Sequence, residues 1–288
     1  MRLLPRLFMS AFALAAMLGS AHAQDTLYFS AIPDEDETRL AERFDKVADY
    51  LSEQLDVPVQ FVPVKSYPAA VTAFRNDQVQ LAWFGGLSGV QARLLVPEAR
   101  AIAQGDEDQT FVSYFIAHTD TGLTESADFP DAASGMSFTF GAKTSTSGRL
   151  MPEFHIRQET GDAPEDFFDR VGFSGNHSQT LRLVASGAWQ IGALNFAVYD
   201  QAVADGAPEI ETAKVIWKTP PYPDYNWTIR GDVDARWGEG FADKVQATLI
   251  GMDDPDLLAA FPRTRFIAAS NDDYAPIEKV GRDLGLLE

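Results

Sequence analysis

The chain has 288 residues, with 42 Asp and Glu against 23 Lys and Arg, a formal net charge of −19, 45% hydrophobic residues and no cysteine. That charge argues against nucleic acid and anionic membrane surfaces as partners, because both select basic faces. Absence of cysteine removes disulfides and a lipidated cysteine, so stability must come from the core that a chain of this length can build.

At the N-terminus, Arg2 and Arg6 are followed by an apolar run at 7–18, and Ala21-His22-Ala23 places small residues at both positions a signal peptidase reads. The run is shorter than the roughly 20 residues needed to span a bilayer. The expectation is a signal peptide at 1–23, export to the periplasm of a Gram-negative bacterium, and a mature chain from Gln24 with no direct membrane anchor. The remaining length, without repeats or low-complexity segments, suits two lobes.

Hydrophobic spacing predicts a strand at 26–32, a loop at 33–37 and an amphipathic helix at 38–55 with Leu40, Phe44, Val47 and Leu51 on one face. A strand at 59–64, a short helix at 67–74, a strand at 79–84, a Gly85-Gly86 turn, a helix through Leu95 and a strand near 99–103 continue a β-α-β alternation. After the apolar, β-rich segment 110–117 the pattern restarts: strand 136–140, helix from about Gly148, strand near Val171, helix 179–186, strand 191–195 and helix 196–204. A β-rich run at 214–219 leads into Pro220-Pro221-Tyr222-Pro223-Asp224-Tyr225-Asn226-Trp227, and helices follow at 241–250, 256–261 and 274–284. Such alternation predicts an α/β protein with mainly parallel sheets covered on both faces. Two crossing segments flank a complete second unit. The chain is therefore expected to build lobe one from 24–112 and 220–288 and lobe two from 113–219, with a ligand cleft between them.

The strongest local feature is Phe140-Gly141-Ala142-Lys143-Thr144-Ser145-Thr146-Ser147-Gly148-Arg149-Leu150-Met151-Pro152. A strand runs into a hydroxyl-rich turn and a helix starts there, with unpaired backbone N–H groups and the positive end of its dipole. Such termini bind tetrahedral anions. Ser145, Thr146 and Ser147 add three hydroxyls, so an oxyanion is held with no basic side chain; the alternative is that Ser147 is an N-cap and its neighbours are loop residues. Net negative charge does not forbid this, because screening over about 8 Å isolates a buried site from the distant surface.

These residues resemble the phosphonate-binding protein family of ABC importers, in which Ser-Thr-Ser-Gly followed by Leu-x-Pro marks the ligand-cradling helix start. Tyr67 in Pro63-Val64-Lys65-Ser66-Tyr67, Leu81-Ala82-Trp83-Phe84-Gly85, Gly175-Asn176-His177, Asn195 and Val215-Ile216-Trp217-Lys218-Thr219-Pro220 match in the same order. The resemblance implies the two-lobe type II periplasmic-binding-protein fold. Tyr67 and Phe84 would line the cleft, with Phe84 standing where a tyrosine is common and lacking its hydroxyl; Ser145, Thr146 and Ser147 would form the oxyanion cradle, and His177 would reach it from lobe two. Asn195 joins the candidates through the same match, and Tyr222 as an aromatic wall or hinge residue of the proline-rich stretch.

The implied function is capture of a small oxyanion and delivery to an ABC permease by a monomer that uses no cofactor or metal and catalyses nothing. Relatives that prefer an amine-bearing ligand carry an acidic residue after the histidine, where this chain has Ser178. A buried ammonium needs a counter-charge, which points instead to phosphite, phosphate, a small phosphonate, selenate or sulfate. Two other classes stay open: a ligand-sensing module for a membrane receptor, and a phosphatase or hydrolase. Against the latter, His118, His155 and His177 have no metal-ligand spacing and no nucleophile-elbow motif is present.

Overall fold

In a computed structural model, residues 25–35 and 37–287 are described; the expected signal peptide at 1–23 lies outside them. In chain order the strands are β1 Leu27–Ala31, β2 Val59–Phe61, β3 Leu81–Phe84, β4 Arg100–Gly105, β5 Ser113–His118, β6 Ser137–Phe140, β7 Arg170–Phe173, β8 Ile191–Asn195, β9 Ala213–Lys218, β10 Asn226–Ile229 and β11 Phe266–Ala268. The helices that matter for the site are α1 Glu37–Leu55, α2 Tyr67–Arg75, α3 Gly86–Leu95, α4 Met151–Thr160, α5 Pro164–Phe167, α6 His177–Ala185 and α7 Phe196–Ala204.

Two sheets result. One has the order β11-β4-β10-β3-β1-β2 and the other β7-β6-β8-β5-β9. The strands β1, β2 and β3 pair in parallel, as do β6, β7 and β8, in line with the β-α-β alternation of the sequence. The exceptions are instructive. β10 inserts antiparallel between β3 and β4, and β5 inserts antiparallel between β8 and β9. Each inserted strand follows directly on a crossing segment, so the chain enters each sheet at its middle rather than at an edge.

The crossing segments are tied to each other. Phe111 and Tyr222 exchange backbone hydrogen bonds of 2.9 Å, and the Thr219 N–H donates to the Ser113 carbonyl at 3.0 Å. Nearby, Asp108 and Arg263 form a buried bidentate pair, with Nη2 to Oδ1 at 2.7 Å and Nε to Oδ2 at 2.8 Å. The Asp108 carbonyl accepts the N–H of Asp224 at 3.0 Å, which fixes where the second crossing segment delivers its next side chains.

Local chemistry explains most boundaries. β2 stops at Phe61, short of the expected end at 64, because Pro63 has no N–H to give a ladder. α2 begins after Ser66, whose Oγ accepts the Ala69 N–H at 3.3 Å, and Asn176 caps α6 through Oδ1 and the Gln179 N–H at 2.8 Å. α6 therefore starts at His177, two residues earlier than periodicity alone indicates. β10 and β11 have no counterpart in the sequence reading: β10 emerges from the proline- and aromatic-rich stretch, and β11 is three residues long. Aromatic packing fills the first core, where Trp227 lies against Phe29, Trp83 and Phe261 with ring centroids 5.5–5.8 Å apart. Phe115, Phe138 and Trp217 do the same in the second sheet.

Removing one member of the Asp108–Arg263 pair leaves a buried charge without its partner. Asp108→Ala is expected to lower stability by about 3–5 kcal/mol in a urea melt, a buried-pair magnitude; a loss below about 1 kcal/mol contradicts this role.

Candidate functional site

The segments that follow β3 and β6 meet at the junction of the two sheets, and the turn after β6 carries the Ser-Thr-Ser run. Ser145 is the cap: its Oγ accepts the Gly148 N–H at 3.0 Å, and a wide helical turn, Thr146–Leu150, leads into α4. The expected alternative cap, Ser147, is free of that duty. Its Oγ lies 3.5 Å from His177 Nε2. Thr146 Oγ1 accepts the N–H of Leu87, at the start of α3 on the other sheet, at 2.9 Å. Ser145, Thr146 and Ser147 are all buried.

Close approach at this turn requires glycine. A Cβ at Gly148 would stand 3.0 Å from Ser145 Oγ, 3.1 Å from Gly141 Cα and 3.1 Å from His177 Cε1.

His177, the first residue of α6, is oriented by its neighbours. Its Nδ1 accepts the Asn195 N–H at 3.2 Å, so the ring proton sits on Nε2, facing Ser147. Burial pushes its pKa down to about 3, leaving a neutral donor. Its backbone N–H donates to the Asp34 carbonyl at 3.0 Å, a bond between the segments that follow β1 and β7. Asn195 caps α7 through Oδ1, which accepts from Ala197 N–H at 2.7 Å, while its Nδ2 donates to Tyr225 Oη at 3.1 Å. Tyr225 Oη in turn donates to Asp34 Oδ2 at 2.8 Å.

Tyr67, the first residue of α2, is 1% exposed, and its hydroxyl has no hydrogen-bond partner among the described residues. Burial, reinforced by Asp34, raises its pKa well above the usual phenol value, so the hydroxyl keeps its proton. Asp224 is 1% exposed; its Oδ1 accepts the Gly86 N–H at 2.8 Å, while Oδ2 is unpartnered among the described residues. Desolvation by burial drives its pKa up to about 7, and the same cause, with Glu35, brings Asp34 to about 7.

Of the sequence candidates, Tyr67, Ser145, Thr146, Ser147, His177 and Asn195 converge on this junction. Phe84 is fully buried and packs edge-on against Phe74, with centroids 5.7 Å apart, in the first core. Tyr222 stands behind the Ser-Thr-Ser turn: its hydroxyl is 2.5 Å from Ser113 Oγ, which donates to the Ser147 carbonyl at 2.7 Å. Asp34, Asp224, Tyr225 and the amides of Gly86 and Leu87 escaped the sequence reading. Two of these follow a proline, in Pro33-Asp34 and Pro223-Asp224, a rigid delivery of a carboxyl that the sequence displays but does not explain.

Ser178, the position read for ligand type, lines an outer pocket with Leu181, Arg182 and Val198, while two carboxyls, Asp34 and Asp224, stand at the junction with pKa values raised by burial to about 7.

Two mixed α/β sheets joined by paired crossing segments, with helix starts meeting between them, define a type II periplasmic binding protein. The model of the family described as "ABC transporter, phosphonate, periplasmic substrate-binding protein" matches residues 29–274, and the chain belongs to that family. It is 39% identical over 265 residues, 90% of this chain and 89% of the relative, to the probable ABC transporter phosphite binding protein PhnD1 of Prochlorococcus marinus. The structure of that PhnD1 in complex with methylphosphonate superposes with a TM-score of 0.87, covering 90% of this chain and 98% of the other. The phosphonates-binding periplasmic protein of Escherichia coli is 25% identical over 222 residues, 75% of this chain and 65% of the relative. The chain is thus a substrate-binding protein and not an enzyme, of a family that works with an ABC permease.

Since a Cβ at Gly148 meets backbone and the His177 ring rather than a flexible tip, Gly148→Ala is expected to destabilise by about 1–3 kcal/mol, as overpacking does. Thermal unfolding of the variant checks this, and an unchanged Tm contradicts the close approach.

Proposed function

We propose that the protein captures a compact phosphorus oxyanion, phosphite or methylphosphonate, in the periplasm and presents it to an ABC permease. The observation that carries this reading is the meeting of uncharged donors at one buried point. Tyr67 Oη, Ser147 Oγ, His177 Nε2–H and the amides of Thr146 and Ser147 converge there with no basic side chain among them. Phosphite and methylphosphonate are the ligands named for the P. marinus relative. Phosphate, sulfate and selenate remain the competitors to be tested.

In the proposed mechanism, lobe one (24–112 and 220–288) and lobe two (113–219) turn about the crossing segments at Phe111 and Tyr222. In the closed form the bonds that bridge the lobes among the described residues include Leu87 N–H to Thr146 Oγ1, His177 N–H to Asp34 O, and Asn195 Nδ2 to Tyr225 Oη. Closure on the ligand then shifts the open–closed population, and the permease reads the closed form. The signal peptide at 1–23 and a monomeric state belong to the same proposal.

Asp224 gives the site a protonation requirement. A protonated Oδ2 donates to an oxyanion, whereas an ionised one repels it. With a pKa of about 7 the carboxyl is largely protonated below that pH and loses the proton above it. Ligand binding selects the protonated form, so affinity falls as pH rises through 7. The ligand titrates as well, so the informative quantity is the difference from Asp224→Asn, whose pH profile by calorimetry is expected to be flatter. Parallel profiles contradict a titrating role for Asp224.

Thermal-shift assays with phosphite, methylphosphonate, phosphate, sulfate and selenate rank the ligands, since a bound ligand raises Tm. Replacing Ser145, Thr146 and Ser147 together by alanine is expected to weaken the best ligand by about 1.5–3 kcal/mol for each hydrogen bond to the anion that is lost. Unchanged calorimetric affinity in that variant refutes the cradle.

A further inference from the structure

Outside the buried junction, a cavity of about 810 Å³ opens between the sheets, and Tyr67 and Asn176 form part of its wall. Its charged lining residues are Lys65, Lys143, Arg182 and Glu35. The three cations are exposed and come from both sides of the cleft: Lys65 precedes the Ser66 cap of α2, Lys143 precedes the Ser145 turn, and Arg182 lies on α6. Lys143 Nζ stands 5.3 Å from the Phe173 ring centre, and Arg182 donates through Nε and Nη2 to Gln179 Oε1 at 3.2 and 3.1 Å. Glu35 is offset by Arg43, 3.3 Å away. In a chain of net charge −19, an opening dominated by cations departs from the rest of the molecule.

We propose that this mouth is an entry site for the oxyanion, in which Lys65, Lys143 and Arg182 attract the anion and pass it to Tyr67 and His177, so that they govern the association rate rather than the final affinity. The proposal rests on the oxyanion reading of the buried site. Its physical basis is range. Fields in a cleft with low-dielectric walls are focused, and charges farther away than about 8–10 Å are screened at moderate salt. An incoming anion therefore responds to the mouth before it responds to the acidic exterior.

The sign of the salt effect separates the two influences. Attraction by the mouth makes association slower as salt rises. Repulsion by the net charge, or by the acidic run Asp34-Glu35-Asp36-Glu37 that follows Pro33, makes it faster.

The experiment is stopped-flow tryptophan fluorescence of the full mature protein with phosphite and with methylphosphonate, from low to moderate NaCl. It compares wild type with K65Q/K143Q/R182Q and with K46Q/K214Q/K279Q, a control that changes the net charge equally at exposed lysines outside the cavity lining. The expected result is a wild-type association rate that falls with salt by about 3- to 10-fold, within the range of electrostatic steering. The control keeps that slope; the mouth variant binds several-fold more slowly at low salt, with its slope abolished or reversed and its dissociation rate unchanged. A wild-type rate that rises with salt, or a control that behaves like the mouth variant, overturns the proposal while leaving the oxyanion reading intact. If calorimetry detects neither ligand binding to wild type, the oxyanion reading itself fails, and steering falls with it.

Discussion

Burying an anion between two sheets is possible only where each of its oxygens meets a donor, and the donors that face one another at this junction carry no formal charge. The 145–148 turn supplies amides at the positive end of a helix dipole, together with hydroxyls, and much of the surrounding structure serves to hold that turn in place. Gly141 and Gly148 touch because neither has a side chain. Ser113 braces the Ser147 carbonyl and is itself met by Tyr222 from the returning crossing segment. Asn195 caps α7 with its side chain and sets the His177 tautomer with its backbone, so one residue ties a strand end to the donor that faces Ser147.

Two acids, Asp34 and Asp224, face that turn from the segments after β1 and before β10. Burial raises both pKa values to about 7, so each carboxyl gains a proton, and with it a donor, as pH falls through 7. The Gly86 amide holds Asp224, and the Asp108 carbonyl fixes the backbone before it. Asp34 is reached through Tyr225, whose hydroxyl also receives Asn195 from the other sheet. The bonds from Tyr225 and from the Gly86 amide lower the two pKa values, and burial at the junction outweighs them. On the proposal made above, long-range charge acts on the approach, through the mouth, and the buried site works by short-range donors.

Much of this was legible in the amino-acid order because its causes are local. The Ser-Thr-Ser-Gly run after a strand is a helix start by propensity and capping alone, and strand 191–195 and helices 196–204 and 241–250 fall where periodicity puts them. β10 was not legible, because Asn226 and Trp227 follow three prolines and pair only with β3 and β4, which lie more than 100 residues earlier. Asp34 and Asp224 were not legible as site residues for a related reason. An acid reads as a repulsive charge until burial, a tertiary property, changes its proton affinity. Tyr222 read as a wall or hinge residue; the structure puts its hydroxyl on Ser113, a partner separated from it by 109 residues.

On the proposed reading the ligand is held by the uncharged donors of the 145–148 turn and the residues facing it, which a crystal structure of the mature protein with methylphosphonate can show or refute. Phosphonate oxygens are expected within hydrogen-bond distance of Tyr67 Oη, His177 Nε2, the Thr146 and Ser147 amides and the hydroxyls of the Ser-Thr-Ser run, with Asp224 Oδ2 close to one of them. A ligand held instead by Lys65, Lys143 or Arg182 in the mouth, with the 145–148 turn untouched, would contradict it.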